Sequence, residues 1–167
     1  MFQTLAEAAK NCTRNISGGI GPVLSTESQR QAASVLVREN RVSELIEALK
    51  DGDTSRRVTA ICSLAELGAN AKEAVPAMID VLEDGDWVVR IAAITALGDI
   101  GEAAAEAVPA LIDSLEREDV CVSAAIALGR IGPAAGDAIE PLCKLKSRKT
   151  GFDCWCAEEA VRLIRQN

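Results

Sequence analysis

Six cysteines and no histidine bound the chemistry open to this 167-residue chain. Without imidazole there is no histidine general base, no Ser-His-Asp or Cys-His nucleophile, and no common zinc ligand set. Cysteine is the remaining reactive type. Cys154 and Cys156, in DCWC, stand at a predicted helix start, where a thiolate gains from the helix dipole. Cys121 holds the matching end of the preceding second helix, and with Cys143 these thiols could gather late in the chain. Cys121 and Cys154 are the candidate reactive pair. No CxxC spacing or ligand quartet occurs, so small apolar filling of a core is the preferred reading of these cysteines. No catalytic residue, metal ligand or cofactor is assigned. Gly18, Gly19 and Gly21 follow no strand and lead into no Gly-Lys-Ser/Thr, so they make a hinge rather than a phosphate loop.

A second group suits recognition. Trp87, Ile91, Ile94 and Thr95 run along one side of a predicted helix, apart from its core stripe, and Val58, Ile61 and Cys62 repeat the last three 33 residues earlier. Tryptophan is enriched at binding hot spots. Arg57 and Arg90 lie one turn into their helices, beside the aspartates of DGD, where a strut to an adjacent unit is the simpler role. The candidate partner-binding residues are Arg57, Val58, Trp87, Arg90, Ile91 and Thr95.

The elements that position these residues repeat. Residues 42–74 and 75–107 agree, slid by 33, at Asp51/Asp84, Gly52/Gly85, Asp53/Asp86, Arg57/Arg90, Leu64/Leu97 and Gly68/Gly101, among others. A third copy, 108–138, is two residues shorter, and a fourth spans 139–167 with Cys156, Ala160 and Ile164 set against Val89, Ala93 and Leu97. Such a period signals a stacked array whose units bury their apolar faces on one another. Within 75–107, Pro76 opens a first helix and Gly85 is expected to close it in a left-handed turn. Asp86 caps the second helix, and Asp53, Asp119 and Asp153 are expected to do the same. Val89, Ala93, Ala96, Leu97 and Ile100 form its inward stripe, and Gly101 ends it. The fold expected is an all-α solenoid of about four helical hairpins, one continuous domain over 42–167. A helical N-terminal cap with a degenerate unit occupies 1–41.

Composition agrees: apolar residues make up 49% and aromatics 2%, which suits small-residue helix packing. The net charge of −7 disfavours a phosphate backbone as partner, although residues 139–167 carry six bases against four acids. The first twenty residues show no signal-peptide pattern, and no apolar run nears the ~18 residues of a membrane span. A cytoplasmic protein with free thiols and no membrane partner is expected.

The pattern D-x-x-V-R-x-x-A-A-x-x-A-L-G-x-I-G is filled by Asp86, Val89, Arg90, Ala92, Ala93, Ala96, Leu97, Gly98, Ile100 and Gly101. It resembles HEAT-like repeats, most of all the subclass named for phycobilisome lyases, over roughly 42–165. The third unit departs from it, with Cys121 or Ser123 in place of the arginine. The resemblance implies a concave face lined by the second helices, on which a protein partner docks, and hence a non-catalytic scaffold or adaptor. It also implies an alternative: a lyase-like protein that attaches, detaches or chaperones a linear tetrapyrrole (bilin). A third possibility is a redox or metal sensor using the C-terminal cysteines. Iron-carrying HEAT-like hydroxylases are excluded by the lack of histidine, and HEAT-like DNA glycosylases are disfavoured by the acidic charge.

Overall fold

The structure, a computed structural model, describes residues 41–148 and 151–166. The chain divides into two compact units, Met1–Arg41 and Val42–Asn167, and the architecture below is that of the second. The expected N-terminal cap lies outside the described residues.

From Val42 onward every regular element is helical. Helix α1 (residues 41–48) and α2 (Thr54–Leu67) form the first hairpin. Then come α3 (Val75–Val81) with α4 (Trp87–Ile100), α5 (Val108–Ser114) with α6 (Cys121–Ile131), and α7 (Ile139–Arg148) with α8 (Phe152–Ile164). The 3₁₀ segments Gly68–Ala74, Gly101–Ala107 and Gly132–Ala138 join one hairpin to the next. No strand occurs among the described residues. The all-α solenoid expected from the repeats is the fold observed.

Local chemistry explains the joints. Gly68, Gly101 and Gly132 end the second helices at φ of 53°, 71° and 75°, a region where a side chain would strain the backbone. Pro76 and Pro109 sit in the first turns of α3 and α5, where a missing N–H leaves no helical bond unmade. Gly85 differs from expectation: it is not left-handed, and α3 ends at Val81, before it. Between α3 and α4 the Asp84 carboxylate instead accepts from the Asp86 N–H at 2.8 Å, and Asp86 caps α4 by accepting from Val88 N–H at 2.9 Å. Asp51 and Asp53 repeat both bonds before α2. The expectation fails for the other two aspartates. Val120 and Gly151 hold the N-cap positions of α6 and α8, without a side-chain bond, leaving Asp119 free to pair with arginines and Asp153 inside the first turn.

The core runs unbroken through the stack, with Ile61, Leu64, Met78, Ile94, Leu97, Leu111, Leu128 and Leu142 fully buried. Second helices pack directly on one another in the order α2, α4, α6, α8, whereas the 3₁₀ segments link the first helices to the next unit. Small residues set the spacing: Gly98 faces Ala127, and Gly129 faces Ala160. Ala127 and Ala160 are therefore counterparts. This moves the fourth unit by three residues from the register read in the sequence, so Ala157 rather than Ala160 answers Ala93. Cys156 answers Ala92.

Candidate functional site

Counting back from the glycines that end α4 and α6 places Arg57, Arg90 and Cys121 at one position in successive units. The two arginines are struts. Arg57 donates from Nη1 to the Asp51 carbonyl at 2.9 Å and from Nη2 to Asp84 Oδ1 of the next unit at 3.2 Å. Its Nε lies 3.0 Å from Oδ2 of the same carboxylate but is not aligned as a hydrogen bond. Arg90 donates to the Asp84 carbonyl at 2.7 Å and reaches Asp119 of the third unit. The side chains of Arg57 and Arg90 are only 14% and 12% exposed, which makes such pairs stiff joints rather than loose surface contacts. The Arg90 hydrogen bond, more than any other influence, holds the Asp119 carboxyl below the usual aspartate range. Asp119 also lies 3.6 Å from Arg117, which bridges to Glu83 at 3.1 Å. Cys121 can make no such bond, so the ladder stops at the third unit.

The remaining candidates lie on the outward side of the second helices. Val58 and Ile91 are half-buried, packed on the core rim, and Thr95 is exposed with its hydroxyl donating to the Ile91 carbonyl at 2.9 Å. Trp87, in the first turn of α4, is 60% exposed. Ile61 and Ile94 are fully enclosed and belong to the core instead of this stripe. Val120 is buried as well and answers Val89, which puts Glu118 in the place of Trp87 in the third unit.

The same face carries residues the sequence reading passed over. Val88 and Ile126 are exposed, and Phe152 and Trp155 open α8 as a stacked pair, 63% and 58% exposed, with ring centroids 5.8 Å apart. Trp155 holds the place of Ile91 and Val122, and Phe152 that of Val88. The misplaced register of the fourth unit hid this. A signal was present: the whole chain has four Phe and Trp residues, and three of them prove to be on the surface.

The C-terminal cysteines differ in burial. Cys121 is buried, with Sγ 3.8 Å from the Glu118 carbonyl, and Cys154 is half-buried in the first turn of α8. Burial, above all, pushes the Cys156 thiol up. Among the described residues no group of three His, Cys, Asp or Glu side chains is arranged to hold a metal, and no helix is long and apolar enough to cross a membrane.

Paired helices, glycine-ended and locked by arginine struts, define an α-helical repeat protein that presents a continuous helical face. The family model for HEAT repeats matches residues 42–129, more than half of the chain, and the chain belongs to that family. The model for the PBS lyase HEAT-like repeat matches residues 120–148. Among solved structures, the chain is similar to the complex of CpcE and CpcF of phycocyanin lyase from Nostoc sp. PCC7120. Identity is 26% and the TM-score 0.62, over 92% of this chain and 69% of that one. It is also similar to an engineered protein, at 26% identity and TM-score 0.59, covering 81% of this chain and 66% of that one. No curated protein matches.

Proposed function

We propose that this chain is a non-catalytic interaction module that grips a protein partner on the face of its second helices, around Arg57, Val58, Trp87, Arg90, Ile91 and Thr95. The observation that carries this is the placing of aromatics. A core built from Ala, Leu, Ile and Val uses none of the described rings, while Trp87, Phe152 and Trp155 all stand in solvent. Exposed large apolar side chains on a rigid scaffold are characteristic of docking surfaces. Arg57 and Arg90 stiffen the face from below and are largely covered, so their part is to fix its shape. The similarity to a lyase solved as a complex of two chains supports a protein partner. We place the protein in the cytoplasm, where its unpaired cysteines stay reduced. The test is a pull-down from the native host with the wild-type chain and Trp87→Ala. The variant should keep its helical content and weaken partner binding by about 2 kcal/mol or more. Early melting together with undiminished binding by the folded fraction would make Trp87 structural and sink this assignment.

A second function draws on the same similarity: handling of a linear tetrapyrrole on this face, with Cys154 as the accessible thiol of the two candidates. Mixing the purified chain with a bilin and recording its absorbance separates the two. A saturable red shift on stoichiometric binding supports pigment handling, and an unchanged spectrum removes it. The metal-sensing form of the third alternative gets no support, since the described cysteines form no ligand group of three or more.

A further inference from the structure

We propose that the apolar ridge over α4, α6 and α8 receives a basic amphipathic helix of the partner, anchored on the stacked Phe152–Trp155 pair. This rests on the docking assignment above and extends it from the central units into the fourth. The ridge is made by Val88, Ile91, Val122, Ile126, Phe152 and Trp155. Once Gly98 is set against Ala127 and Gly129 against Ala160, Ile91, Val122 and Trp155 share one position across the three helices; Val88 and Phe152 share another, held by Asp119 in α6, and Ile126 stands where α4 has Thr95 and α8 has Glu159.

The surface is built from helices, whose backbone groups are already bonded within each helix, so it offers an incoming chain no ladder of donors and acceptors. An extended segment would bury its own N–H and C=O groups unpaired, whereas a helix satisfies them internally. Neighbouring helix axes lie about 8–10 Å apart, so α4 to α8 spans roughly 16–20 Å, which a helix covers in about 11–13 residues. Charge selects the sign. The loops at the first turns of these helices carry Asp84, Asp86, Glu118 and Asp119, with Asp51 and Asp53 before α2. Four arginines stand among them: Arg57 and Arg90 are largely buried against Asp84 and Asp119, while the more exposed Arg56 and Arg117 bridge to Asp51 and to Glu83 and Asp119. On the other flank Arg130 pairs with Asp99 and Arg162 with Glu159, and Arg165 is exposed at the end of α8. A cationic flank on the incoming helix matches the acidic loop edge before α4 and α6, whereas the fourth unit, with six bases against four acids over 139–167, supplies the apolar anchor. A second copy of this chain, itself at −7, would meet like charge. The two rings, each about 60% exposed, offer roughly 90–160 Å² apiece on the scale by which aromatics bury surface. That suits a single helix better than the ~800 Å² per side of a stable chain pair.

The experiment titrates the full chain with two fluorescein-labelled 14-residue peptides. Both carry leucines at helical spacing, and the remaining positions are lysine in one and glutamate in the other. Anisotropy should show saturable binding of the lysine peptide and little of the glutamate one. Trp155→Ala and Ile126→Ser, both at exposed positions, should melt as the wild type does and weaken lysine-peptide binding about tenfold or more. No binding, equal binding of both peptides, or undiminished binding by both variants overturns the proposal; the last means a general field effect. If Trp87→Ala loses the native partner while Trp155→Ala keeps it, the docking assignment stands and this extension falls. If the lysine peptide requires Trp155 while Trp87→Ala leaves the native partner bound, the extension stands and the central placement falls.

Discussion

Gly98 is a glycine because of what faces it. A Cβ there would stand 2.9 Å from the Ala127 Cα, and backbone cannot swing aside as a flexible side chain can. Gly98→Ala gains about 1 kcal/mol in helix propensity, but overpacking costs about 1–3 kcal/mol, so net destabilisation is expected. Gly85→Ala is the control, since its Cβ meets nothing within 4 Å. Thermal midpoints of the two variants check this: a Gly98→Ala midpoint at or above wild type means α4 and α6 can part freely. Arg90 carries a pH signature. Because its hydrogen bond lowers the folded pKa of Asp119, the stabilisation is complete above the unfolded aspartate value, about 3.9, and fades as pH falls through the lowered folded value. Arg90→Met should therefore show a flatter loss of thermal midpoint than wild type as pH falls from about 5 to 3. Parallel curves would mean that this pair adds no pH-dependent stability.

At the scale of elements, the second helices are the spine. Leu97 is fully buried in α4, which packs between α2 and α6. Leu97→Ala should cost about 2–5 kcal/mol, because a helix held on both sides collapses poorly into a cavity. A thermal midpoint indistinguishable from wild type would show that this stripe does not bear the packing. The fourth hairpin changes the rule of its predecessors. Arg162 stands where Gly98 and Gly129 stand, and Glu158 where Ile94 and Ala125 stand. Arg162 pairs with Glu159, and Glu158 with Lys146 at 3.1 Å. The unit thus presents charge on the side where the others present a socket for the next helix.

For the molecule as a whole, charge decides what is repelled. Acids outnumber bases 25 to 18, and the excess lies before residue 139. Duplex DNA should not bind appreciably near physiological salt, because too few phosphates can be neutralised to release counterions. A gel shift at that ionic strength checks this, and a tight, salt-sensitive complex would overturn it. The same field draws cationic partners toward the acidic loops, so association with them should slow as salt rises.

Fold class, the repeat period and much of the core followed from the sequence alone, because each is local or periodic. A glycine that must take positive φ, a proline in a first turn and a leucine at helical spacing act through neighbours a few residues away. Gly68 and Gly101, Pro76, and Leu64 with Leu97 were legible for that reason, and so were the arginine struts, since the unit that places Arg57 near one aspartate places Arg90 near another. Only the tertiary structure decided the rest. The third unit's deletion and the fourth unit's drift left several registers equally good by eye, and the one adopted is set by Gly129 closing on Ala160. That contact sets Trp155 in line with Val122; separately, Val120 and Gly151 take the caps expected of Asp119 and Asp153, and Ile94 is enclosed. Whether a side chain on a helix between two others faces solvent or a neighbour depends on how closely those neighbours approach, which no single repeat encodes.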